Sequence, residues 1–138
     1  MSEEIKELLI AENFNRTLKK YEKIYCNKRI VCYGAGIFFK TVLDNYDLSN
    51  LNIMAVSDIS FKGIESPLYD EELGFNKISP EFIHTLKPDI VLISALQDYY
   101  IEKYFLETLF KQTPKFKYKT ILERSLRRKI QDELLRLI

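Results

Sequence analysis

A chain of 138 residues that is 46% hydrophobic, with nine Tyr, nine Phe and only four Gly and four Pro, has the composition of one globular domain able to bury a full core. This composition excludes a low-complexity or disordered chain, and a formal charge of +1 excludes a global field that would attract nucleic acid or a membrane surface. The two cysteines, Cys26 and Cys32, match no metal or redox spacing, the start Met1–Lys6 lacks the apolar run of a signal peptide, and no run approaches the ~20 residues of a membrane span, so a cytoplasmic protein without membrane insertion is expected.

The chain opens on a helical pattern over residues 3–25, with a possible break near Asn13 or Asn15. Phe14, Leu18, Tyr21 and Tyr25 recur at helical spacing and make one apolar face. Arg29–Tyr33 is apolar throughout its middle and runs into Gly34-Ala35-Gly36, which predicts a strand buried on both faces. Phe38, Phe39, Val42, Leu43 and Tyr46 then share a helix face. Leu51–Ser57 predicts a second strand ending at Asp58. Residues 59–74 read as a long connection carrying Lys62, able to close over a ligand. Phe75–Ile78 predicts a third strand, and Ser79-Pro80-Glu81 a helix start with a capping hydroxyl. Asp89–Ser94 predicts a fourth strand, followed by an amphipathic helix through Tyr100, Ile101, Tyr104, Phe105 and Leu109. Tyr118–Leu122 predicts a fifth strand, and Leu126, Ile130 and Leu134 mark a last helix.

Strands alternating with helices predict a Rossmann-like three-layer α/β domain. It has a mainly parallel sheet of about five strands and extra N- and C-terminal helices. Residues 1–27 form the N-terminal helical extension, 28–122 the core and 123–138 the C-terminal helix. From Lys111 onward nine basic residues face three acids, a pattern that reads as a solvated helix face.

A glycine turn between a strand and a helix is the context in which a phosphate is held. Gly34 permits the tight turn, Gly36 lets an anion approach the backbone, and the helix beginning at Ile37 offers free N–H groups. Asp58 ends the second strand 24 positions after Gly34, where a carboxylate accepts from ribose hydroxyls. Ser94 ends the fourth strand. Gly34, Ala35, Gly36, Ile37, Asp58 and Ser94 are therefore the expected ligand-binding set, with no metal site. Phe39 stands where a dinucleotide fingerprint has its third glycine. Tyr99 and Lys103 have the Tyr-x-x-x-Lys spacing of short-chain dehydrogenases, but follow the fourth strand too closely for that role. His84, the single histidine, is expected on an exposed helix face.

The runs "RIVCYGAGIFFKTVL", "IMAVSDIS", "GFNKISPEFI" and "KPDIVLISA" resemble the Rossmann-like nucleotide-binding N-terminal domain of bacterial polysaccharide biosynthesis proteins related to nucleotide-sugar dehydratases and epimerases, over roughly residues 28–122. They are similar also to domains fused to sugar methyltransferases and glycosyltransferases. The resemblance implies binding of NAD, NADP or a nucleotide-sugar, by a stand-alone or accessory domain acting beside a separately encoded carbohydrate enzyme. It implies binding more readily than catalysis, and no catalytic residue is assigned. Two other readings fit the residues: a small S-adenosylmethionine-dependent sugar methyltransferase, and a ligand-free homodimeric interaction module built on the terminal helices.

Overall fold

The computed structural model describes residues 1–122, so the expected C-terminal helix lies outside the described residues. The fold is α/β: a six-stranded sheet in the order β3-β4-β2-β1-β5-β6, parallel except at one edge. The strands are β1 (Ile30–Tyr33), β2 (Ile53–Ser57), β3 (Leu68–Asp70), β4 (Phe75–Ile78), β5 (Ile90–Ile93) and β6 (Tyr118–Thr120). β1 pairs in parallel with both β2 and β5, and every residue of β1 and β5 is buried. That is why both strands read as unbroken apolar runs rather than alternating ones.

Helices cover both faces, giving the three-layer Rossmann-like arrangement. One face carries α1 (Ser2–Ala11), α2 (Phe14–Ile24) and α3 (Ile37–Asn45), whose Ile5, Leu9, Phe14, Leu18, Tyr21, Phe39 and Val42 join Ile30, Cys32 and Leu92 in one core. The other carries a 3₁₀ segment (Pro80–Leu86) and α4 (Asp98–Tyr104), which runs through a π-helical turn (Phe105–Leu109) to Gln112. There Ile83, Phe105 and Leu109 pack on Val31, Val91 and Ile93. Phe105 is the hub, with ring contacts to Tyr33, Phe110, Phe116 and Tyr118.

The N-terminal helices lie on the chain's own sheet. Tyr21 Oη donates to the carbonyl of Thr120 on β6 at 3.1 Å, so α2 reaches the far edge strand. The break between α1 and α2 falls at Asn13, which takes φ 56°, a left-handed conformation that asparagine adopts more readily than most residues.

Several expectations are corrected. Leu68–Asp70 is a sixth strand, antiparallel to β4, inside the stretch read as an open connection. That connection is pinned as well by a 3₁₀ turn (Ile59–Phe61) and by Ser79 N–H donating to Ile64 O at 3.0 Å, so it is not a free lid. The segment after Ser79 is 3₁₀, and the Ser79 hydroxyl makes no cap; it donates instead to the Glu81 carboxylate. Tyr100 lies off the buried helix face, 66% exposed, while Ile101, Tyr104, Phe105 and Leu109 pack towards the sheet. His84 is half-buried rather than exposed, with its Nδ1 shielded from solvent and lacking a hydrogen-bond partner.

Candidate functional site at the carboxyl edge of the sheet

β1 leads outward to β2 on one side, and the crossover after β4 returns to β5 on the other. The strand order therefore reverses between β1 and β5, the place where open α/β sheets hold ligands. The glycine turn sits at that point, between β1 and α3.

Gly34 closes the turn. Its φ is +113°, and a Cβ there would lie 2.8 Å from the Ser94 carbonyl oxygen, so a larger residue is excluded twice over. Its N–H donates to Ser57 O at 2.8 Å, and Ser94 N–H donates to Tyr33 O at 2.8 Å, fastening the β1 end to both neighbours. Gly36 has a different role. Its φ is −84°, open to any residue, and a Cβ there would meet nothing within 4 Å. Gly36 is the N-cap of α3, no side chain caps that helix, and the first-turn N–H groups have no partner within it.

Asp58 and Ser94 converge on the same turn, and both brace it. One Asp58 carboxylate oxygen accepts from Ala35 N–H at 2.7 Å; the other accepts from Ser60 N–H and Ser60 Oγ, each at 3.0 Å. Ser94 is buried, with its Oγ 3.1 Å from Gly34 O and 3.3 Å from Tyr33 O. The Ala35 N–H is thus committed to Asp58, and Gly36 and Ile37, the next two residues, are exposed. The oxygen that accepts from Ala35 N–H has that one donor and keeps a second lone pair for an incoming hydroxyl; the other is filled by Ser60.

Phe39, in place of the third glycine, is fully buried, its ring 6.2 Å from that of Phe75. The ring fills the space across which a glycine would let the helix close on the strand. It sits on the core side of α3, away from the turn.

Spacing alone did not single out the surroundings. Ile37, Ile59, Tyr99 and Tyr100 are 50%, 47%, 65% and 66% exposed, large apolar side chains beside the ends of β1, β2 and β5. Tyr33 is buried, and burial, with Tyr104, Asp58 and Glu81 nearby, raises its phenol above the ordinary range. A pattern search passes over such residues because each reads as ordinary core or surface. Tyr99 and Lys103 both lie exposed on α4. Among the described residues, no group of three His, Cys, Asp or Glu side chains is placed to hold a metal ion, and no helix is long and apolar enough to cross a membrane.

No family model, curated protein or solved structure matches the chain.

Proposed function

We propose that this edge of the sheet binds the phosphate of a nucleotide, with NAD, NADP or a nucleotide-sugar as the ligand class. The observation that carries the reading is the start of α3 at Gly36, which no side chain caps, where a Cβ would meet nothing within 4 Å, and which is set where the strand order reverses. The N–H groups of Ile37 and Phe38 and the helix dipole favour an anion there. Asp58 accepts from a ribose hydroxyl with the remaining lone pair of the oxygen that holds Ala35 N–H. Ile37 and Ile59 supply exposed apolar surface next to the phosphate and ribose positions. The role is binding, by a domain that works beside a separate carbohydrate enzyme; the surface-polysaccharide setting rests on the resemblance of the four sequence runs.

A thermal-shift panel of NAD, NADP, UDP-glucose and S-adenosylhomocysteine at millimolar concentration tests this. A ligand that binds only the native state raises the melting temperature. A rise with NAD, NADP or UDP-glucose is expected. A rise with S-adenosylhomocysteine alone would favour the methyltransferase reading, and no rise with any of them counts against ligand binding.

A further inference from the structure

At the opposite edge of the sheet, a groove of about 530 Å³ opens between the α1–α2 break, the end of α3 and the loop that follows it. Phe14 and Tyr46 are among its lining residues, with ring centroids 4.9 Å apart in an edge-to-face contact; Phe14 is fully buried and Tyr46 half-buried. Around them stand Asn13, Asn15, Asn45 and Asn50, four of the seven asparagines of the chain. Asn45 Nδ2 is committed to Thr41 O at 2.8 Å, which leaves its carbonyl oxygen to accept. Asp47 accepts from Ser49 N–H through Oδ1 at 2.9 Å, and the Ser49 hydroxyl also bonds this carboxylate. Lys19 offsets one of the two lining carboxylates, Glu22 and Asp47, so the groove carries little net charge.

Side-chain amides supply donors and acceptors together without charge. A lining of four amides and a carboxylate around an aromatic ring suits a ligand with many hydroxyls, one apolar face and no strong charge. It does not suit phosphate, nucleic acid or an acidic peptide, which would need a cationic surface. The volume lies within the range of small-ligand sites. We propose that this groove binds the pyranose ring of a neutral saccharide, packed on Tyr46 and hydrogen-bonded by Asn13, Asn15, Asn50 and Asp47. This site stands apart from the glycine turn and does not rest on the nucleotide reading.

Titrating ¹⁵N-labelled protein with glucose, galactose and N-acetylglucosamine, and separately with UDP and UDP-glucose, reads the asparagine side-chain amides directly. At least one free sugar is expected to shift Asn13, Asn15 and Asn50 saturably, while UDP leaves them in place. Shifts with UDP-glucose but with no free sugar would uphold the pyranose site and assign its source to a nucleotide-bound sugar. The double variant N15A/N50A, at two exposed positions, is expected to weaken binding about tenfold or more with little change in melting temperature. Three results would overturn the proposal: side-chain amides that no sugar moves, equal affinity in the double variant, or shifts on concentrating the protein alone, which would mean a second copy covers the groove.

Discussion

Two glycines, two residues apart, have opposite reasons for being glycine. Gly34 is required by the fold: a side chain there would be strained at the φ of +113° that the turn imposes and would strike Ser94 O. Gly34→Ala is expected to lower stability by about 2–4 kcal/mol in urea unfolding. Gly36→Ala is expected to change it by less than about 1 kcal/mol, since neither backbone nor neighbours object. Equal losses at the two sites would contradict this account of the turn. Asp58 belongs with Gly34: Asp58→Ala removes the acceptor of Ala35 N–H and the cap of the following 3₁₀ turn, an expected loss of about 1–2 kcal/mol before any ligand is added.

Protonation at single residues gives a further test. Burial pushes the Cys32 thiol up to about 12, from an ordinary value of 9.0. Burial, and then the Glu102 carboxylate that accepts its hydroxyl, push Tyr118 up to about 12 as well. In both cases the folded chain keeps a proton that the unfolded chain gives up. Stability is therefore intact below the unfolded values and falls as pH rises from about 9 towards about 12. The urea midpoint should drop across that window, and Cys32→Ala should remove the part of the slope that begins first. A midpoint unchanged up to about pH 11 would show that these groups release their protons in the folded state as readily as in the unfolded one.

At the scale of elements, the N-terminal helices are part of the core. Ile5 and Leu9 of α1 are fully buried, and α2 reaches β6 through Tyr21. Leu9→Ala is expected to cost about 2–5 kcal/mol, and Ile24→Ala, at a position 47% exposed, within about 0.5 kcal/mol. Small effects at both would mean that α1 is an arm loosely attached to the domain. Since the sheet covers the stripe of α1 and α2, that stripe does not call for a second copy of the chain.

The same scale shows what the sequence made legible. β1 and β5 stand out because strands buried on both faces carry uninterrupted apolar residues, and the α1–α2 break shows at Asn13. β3 escaped because Leu68 and Tyr69 lie exposed on an edge strand of three residues, too short and too open for a period-two pattern to register. The 3₁₀ segment escaped because Ser-Pro-Glu starts either kind of helix. The π turn escaped because one added residue leaves each apolar side chain in the sequence and changes only its direction. At the candidate site, local order marked the positions of Gly34, Gly36, Asp58 and Ser94. It left open that Asp58 and Ser94 turn back to brace the turn, since side-chain direction is decided by contacts made across the sheet.

For the whole molecule, α3 joins two regions of different chemistry. Its N-terminus, at the carboxyl edge of the sheet, is uncapped and open beside Gly36. Its C-terminus borders the amide-lined groove. The central claim concerns the first, and backbone amide shifts of ¹⁵N-labelled protein titrated with NAD and with UDP-glucose, in wild type and in Gly36→Val, test it most directly. Saturable shifts centred on Gly36, Ile37 and Phe38 are expected with at least one of the two, lost in a Gly36→Val protein that melts where wild type melts. Wild-type shifts that leave those three amides in place, or binding that survives a side chain at Gly36, would contradict a phosphate site at the start of α3.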